Sequence, residues 1–237
     1  MKEIGGYFGL EEFRGEEYHS GLMGVNNGRS ALLYILKART PKKLYLPYFL
    51  CDSVSTMCRN NGYEISFYPI GEDFLPVFDA VLGPSEYLYV VNYYGQISNQ
   101  RILALKERYG NIIVDNVQAF FQRPVPGIDT VYSCRKFFGV PDGGYVATDV
   151  VLEEPLEQDI SKDRMVHILG RFEGTASEYY SYFKENDHSF VKTPLRGMSA
   201  LTRNLLRGID YEQVRSIRNT NYAVLDSMLG SKNEQSL

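Results

Sequence analysis

Little in this 237-residue chain points to a membrane, a nucleic acid or an oxidising compartment. It has no run of about 18 consecutive apolar residues, so no segment is expected to span a bilayer. Its first residues, Met1-Lys2-Glu3-Ile4-Gly5-Gly6-Tyr7, lack the apolar stretch of a secretory leader. Only three cysteines occur, Cys51, Cys58 and Cys134, an odd number without metal-ligand spacing. The expectation is reduced thiols in a cytoplasmic setting with no metal site, and packing roles for Cys51 and Cys58. Positive charge is not in surplus either: 25 basic against 29 acidic residues give a net charge of −4, which argues against a broad nucleic-acid or anionic-membrane footprint. No internal repeat and no low-complexity tract interrupts the chain. Apolar residues at 44% and charged residues at 23% are ordinary for a globular protein.

Helical and extended patterns alternate along the chain. Residues 30–37 have helical spacing after the turn Asn26-Asn27-Gly28, and residues 43–46 form a strand that Pro47 closes. Asp52–Asn60 is helical and Glu64–Tyr68 extended, while residues 87–92, Tyr-Leu-Tyr-Val-Val-Asn, read as a buried strand. A helix over 100–109 stops at Gly110, and strands are expected at Ile112–Asp115, 130–133 and 144–148. Short apolar strands alternating with helices predict an α/β class protein, three layers α/β/α around a mainly parallel mixed sheet. From Ser199 the pattern turns helical and basic, and Arg203, Arg207, Arg215 and Arg218 are expected on a solvated face.

Two stretches carry more chemistry than the rest. In residues 112–119 an apolar run ends directly in Asp115, with Gln118 three positions on. A parallel strand of that kind presents its terminal carboxylate in the crevice where α/β sheets bind ligands. In residues 131–144 Lys136 lies between a strand end carrying Ser133 and the pair Gly143-Gly144. A lysine and a carboxylate presented from neighbouring strand ends are what a pyridoxal phosphate enzyme needs. The amine bonds covalently to the cofactor's aldehyde, and the acid keeps the pyridine nitrogen protonated so that the ring serves as an electron sink. The plainer readings are a surface lysine and a carboxylate capping the next helix. A desolvated Lys136 beside the cationic Arg135 would favour the neutral, nucleophilic amine.

The order of motifs resembles that of the DegT/StrS-type sugar aminotransferases, of the aspartate-aminotransferase-like class. Asn27-Gly28-Arg29-Ser30-Ala31-Leu32 is similar to their G-T-x-A-L phosphate turn, and Val91-Asn92-Tyr93-Tyr94-Gly95-Gln96 to their V-H-x-Y-G-Q segment. Val114-Asp115-Asn116-Val117-Gln118-Ala119 resembles their D-x-x-Q-A strand motif, and Ser133, Lys136, Gly143 and Gly144 their lysine motif. Each motif alone is weak; four in the family's order are specific.

The resemblance implies a fold-type I large domain over residues 1–208 and the start of a small C-terminal domain, truncated or shortened, over 209–237. It implies pyridoxal 5'-phosphate as cofactor, with Lys136 and Asp115 catalytic. Gly28, Arg29, Ser30 and Ser133 would hold the phosphate, and Gln118 would reach the ring hydroxyl or face. The implied reaction moves an amino group from a donor, glutamate, to a keto group of a nucleotide-linked sugar, in a homodimer with shared sites. The chain's 19 Tyr and 13 Phe, dense at Tyr93-Tyr94, Phe120-Phe121, Phe137-Phe138 and Tyr179-Tyr180, also point to an interface. There are departures. The family's cofactor-stacking aromatic falls at Cys51, with Tyr48 and Phe49 as alternatives, and its Asn-Tyr-Arg-Met-Ser-type segment, which reaches the partner's phosphate, has as its nearest text residues 194–199. Two further readings are a pyridoxal-fold protein that binds without turnover, and a nucleotide-sugar-binding α/β enzyme without the cofactor.

Overall fold

The computed structural model describes residues 5–233; the expectations for the first four residues and for the last four of the polar tail lie outside them. Seven strands, β1 (Met23–Val25), β2 (Lys43–Pro47), β3 (Glu64–Tyr68), β4 (Glu86–Val91), β5 (Ile112–Asp115), β6 (Asp129–Ser133) and β7 (Gly144–Ala147), form one sheet. Its order is β1-β7-β6-β5-β4-β2-β3. The strands from β6 to β3 run parallel, β7 runs antiparallel beside β6, and β1 pairs antiparallel with β7 at the edge. Helices α1 (Gly28–Arg39), α2 (Asp52–Asn60), α3 (Asn99–Tyr109), α4 (Val166–Glu173), α5 (Tyr180–Lys192), α6 (Ala200–Arg207) and α7 (Tyr211–Leu229) complete the described chain. The expected mainly parallel mixed sheet, flanked by helices, is thus present.

Residue alternation divides the core. Tyr89, Val91 and Ile113 point to one face, where they pack with Leu32, Ile35 and Leu36 of α1. Leu88, Val90, Ile112 and Val114 point to the other, against Ile102 and Leu105 of α3. With apolar side chains on both faces, β4 and β5 read as continuous apolar runs. Local chemistry sets the helix ends. The Asn27 side chain accepts the Ser30 N–H at 2.9 Å to start α1, and Ser98 does the same for Arg101 at the start of α3.

The sequence reading set no expectation for β1, α4 or α5, and β1 is too short, at three residues, to show a period. Several expectations are corrected. The arginines after Ser199 do not share one solvated face. Arg203 reaches the buried carboxylate of Glu17 at 3.1 Å, and Arg218 donates to the Phe137 carbonyl at 2.9 Å. Phe120, Phe121, Phe137 and Phe138 pack together inside the chain around Tyr132 and Tyr145, so those two pairs supply core and not interface. Cys58 is buried as expected, whereas Cys51 is exposed. Helix α7 has no buried residue. No helix among the described residues is long and apolar enough to cross a membrane, and no cluster of His, Cys, Asp and Glu among them could hold a metal ion.

The segment before β1 is pinned to this aromatic core. The Tyr145 hydroxyl donates to Glu17 at 2.7 Å, and His19 Nε2 lies 2.8 Å from the Phe120 carbonyl. That contact requires the proton on Nε2, which leaves the buried Nδ1 without a partner. Burial, which outweighs the Phe120 bond, and then the Arg123 charge push the His19 pKa down from 6.5 to about 4. The folded chain therefore binds fewer protons than the unfolded one between these values, and stability should fall as pH drops from 6.5 toward 4, by on the order of 3 kcal/mol at most. Urea unfolding across this window checks it: the wild-type slope should exceed that of His19→Gln, and equal slopes would remove His19 as the cause.

Candidate active site

The carboxyl ends of the parallel strands and the first turn of α1 enclose a cavity of about 620 Å³. Parallel sheets place ligands at this end because the strand-to-helix loops diverge there. Asp115, the last residue of β5, is 3% exposed and lines the cavity. Its Oδ2 accepts the Tyr89 hydroxyl at 2.7 Å and its Oδ1 accepts the Val117 N–H at 2.9 Å. Burial raises its pKa, opposed by the Tyr89 bond, the Val117 N–H and the charge of Lys136. The carboxylate is therefore fixed in direction by two hydrogen bonds.

Tyr89 escaped the sequence reading. Its signal is the register: Tyr89 pairs with Ile113 and Val91 with Asp115, so Tyr89 and Asp115 share a sheet face two positions apart. A tyrosine is long enough to span that offset.

Lys136 follows β6 in the loop that leads to Gly143, and it lines the same cavity. Its side chain is exposed, and Arg135 is engaged with Asp187 at 3.1 Å. The expected desolvation of the lysine is therefore not found; the electrostatic partner it has is Asp115. Gly143 has φ +112°, a conformation that a side chain would strain, and a Cβ there would meet Thr202 at 3.0 Å and Cys134 at 3.2 Å.

Gly28, Arg29 and Ser133 also line the cavity. A Cβ on Gly28 would come within 3.3 Å of both the Ser133 Cβ and the Val117 Cγ1, so glycine keeps open a cleft between the α1 start and the β6 end. The N–H groups of Gly28 and Arg29 have no partner within the helix, as at any helix start, and they carry the positive end of the helix dipole. Ser30 is not brought to this cavity. It is buried one residue deeper, its N–H taken by Asn27, and it borders an adjoining groove of about 850 Å³ between α1, α2 and residues 152–157. That groove is larger than the cavity, but it lacks both Asp115 and Lys136.

Gln118 lines the cavity in a turn, not a helix, and its Oε1 accepts the Tyr94 N–H at 3.2 Å. Tyr94 itself has φ 55° within the 3-10 turn Tyr93–Gly95. Strain of that kind costs on the order of 1 kcal/mol and tends to gather at binding sites. Tyr48, Phe49 and Cys51 all line the rim; Phe49 stacks on Tyr93 at 5.3 Å, and Tyr48 on Phe67 at 5.5 Å. Arg196, in the segment that departs from the family's phosphate-reaching one, is bound within its own chain to Glu157 at 3.0 Å.

Neither a protein-family model nor a curated protein matches the chain. Solved structures do. A pyridoxal-phosphate-bound protein from Clostridium difficile 630, described as an aminotransferase, superposes with a TM-score of 0.54 over 90% of this chain and 57% of its own, at 11% identity. A DegT DnrJ EryC1 StrS aminotransferase from Brucella abortus matches 54% of this chain and 42% of its own, at 23% identity and TM-score 0.43. The sugar aminotransferase CalS13 from Micromonospora echinospora matches 54% of this chain and 41% of its own, at 19% identity and TM-score 0.42. The chain spans less than two thirds of the length of each of these neighbours. The match over 90% of the chain shows that it shares its fold, a mainly parallel mixed sheet flanked by helices, with that protein.

Proposed function

We propose that this chain binds pyridoxal 5'-phosphate and acts as an aminotransferase. The observation that carries the reading is the convergence of Asp115, buried and oriented by two hydrogen bonds, with Lys136 and the glycine cleft at Gly28 in a single cavity. The fit is specific. A charged carboxylate fixed in a buried strand end suits a pyridinium N–H, and the α1 start with the Ser133 hydroxyl suits a phosphate dianion. The fold neighbour that matches most of the chain holds the same cofactor.

When bound, the cofactor would supply an electron sink for the carbanion formed at the amino donor's Cα. The chain's residues do the rest. Asp115 holds a proton on the ring nitrogen and Tyr89 keeps that carboxylate pointed. Lys136 would carry the donor's Cα proton as general base and return it as general acid. Gln118 and the turn at Tyr94 line the cavity that would hold the ring, and the exposed aromatics Tyr48 and Phe49 would offer faces for ring or substrate.

The acceptor, a keto group on a nucleotide-linked sugar, and the donor glutamate follow from the motif resemblance, a homodimer from the resemblance together with the aromatic content, and a cytoplasmic setting from the few unpaired cysteines. Exposed Tyr48, Phe49 and Tyr94 at the cavity rim favour a second copy beside the site. Incubation with the cofactor should give a visible absorption band that glutamate bleaches, and light scattering should give the mass of two chains. A protein that stays colourless would sink the reading and leave a nucleotide-sugar enzyme of another kind; a band that no amino donor changes would leave a binding protein.

A further inference from the structure

Directly before Lys136 stands an arginine that the chemistry above leaves unused. Arg135 lies on the cavity wall with Gly28, Arg29 and Ser133. Both guanidinium-bearing side chains are shielded, Arg135 at 13% and Arg29 at 17% exposure. They share one carboxylate oxygen: Asp187 Oδ1, from α5, lies 3.1 Å from Arg135 Nη1 and 3.9 Å from Arg29 Nη2. That aspartate is 55% exposed. Two shielded cations therefore face a single half-solvated anion, and the corner is short of negative charge. The state of Arg135 agrees, since burial depresses its pKa and the charges of Arg29 and Arg164 add to this, with Asp187 opposing. The Arg135 guanidinium is also held in place, 4.8 Å from the ring centre of Phe190.

One carboxylate oxygen leaves most of the guanidinium donors unfilled, whereas a phosphate dianion offers three acceptor oxygens and nearly twice the charge. Resting on the cofactor reading above, we propose that Arg135 and Arg29 form a phosphate site within one chain, and that Asp187 is the internal anion which the phosphate displaces. Asp187 is suited to leave because half of its surface already faces water, so its carboxylate exchanges one hydrated partner for another at low cost. Arg135 is thus a cofactor-positioning residue, and Asp187 sets the affinity by competing for it.

The test is calorimetric titration of the full chain with inorganic phosphate, pyridoxal phosphate and pyridoxal, for the wild type, Arg135→Gln, Arg135→Lys and Asp187→Asn. Arg135→Gln should weaken phosphate and pyridoxal phosphate about tenfold or more and leave pyridoxal unchanged, and Arg135→Lys should recover part of the loss. Asp187→Asn should tighten phosphate about threefold or more, again without effect on pyridoxal. Should Arg135→Gln fail to fold, Asp187→Asn decides alone, because a half-exposed side chain contributes little to packing. Phosphate binding by Arg135→Gln equal to wild type, weaker or unchanged phosphate binding by Asp187→Asn, or no phosphate binding by the wild type would each overturn the proposal. Borohydride trapping at Lys136 reads the functional assignment separately. Trapping without the Arg135 and Asp187 effects removes only the phosphate site, and those effects without trapping remove only the enzyme.

Discussion

Alanine at position 136 is expected to give a folded protein with turnover reduced by several orders of magnitude. Lys136 is exposed and none of its atoms belongs to the core clusters, so its removal should leave thermal stability within about 0.5 kcal/mol of wild type. Its loss removes the one lysine that lines the cavity among the described residues, and with it the proposed covalent link and proton carrier. Borohydride reduction of the wild type followed by peptide mapping should place the cofactor on Lys136. An adduct on any other lysine would refute the assignment, and a Lys136→Ala protein that still exchanges amino groups would refute the mechanism.

Asparagine at position 115 should have the second largest effect. Asp115→Asn keeps the shape and preserves an acceptor for the Val117 N–H or the Tyr89 hydroxyl, but it removes the negative charge that holds the ring proton. Proton abstraction should slow by two or more orders of magnitude, and cofactor affinity should fall about tenfold, the scale of one charge-assisted hydrogen bond. Tyr89→Phe should act through the same group: it removes the bond that orients and helps to keep Asp115 ionised, so the low-pH limb of activity should move to higher pH. Single-turnover rates across pH separate the two. A half-reaction unchanged in Asp115→Asn would reduce Asp115 to a structural carboxylate.

The elements legible in the sequence were those bounded by strong local signals. Helix Asp52–Asn60 and strands Glu64–Tyr68 and Ile112–Asp115 stand where the sequence patterns put them, because turn residues flank them and their apolar content is continuous or periodic. The placement of Asp115 at the cavity was legible because a carboxylate that ends a buried parallel strand is presented at the crevice; Lys136 lies farther on, in the loop after Ser133, and lines the same cavity. What could not be read is what depends on pairing across the chain. Tyr89 reaches Asp115 only because β4 and β5 are in a particular register. Asp187 meets Arg135 over a separation of 52 residues. Ser30, adjacent to Gly28 and Arg29, is turned away from the cavity by the helical rotation of 100° per residue and by its cap bond to Asn27.

The backbone around β1 gives the site its gauge. Gly143 donates to the Asn26 carbonyl at 2.7 Å, Cys134 donates to Gly143 at 3.0 Å, and Asn26 in turn donates to Arg196, all main chain to main chain. The lysine loop and the start of α1 are thus two ends of one stitched seam, with Asn27 closing the link to the helix. The interval between the start of α1 and the lysine loop is consequently a main-chain dimension. Side chains along the seam can be exchanged to alter charge or reach without rescaling that interval, much as the jaws of a caliper can be refaced while its scale stays the same.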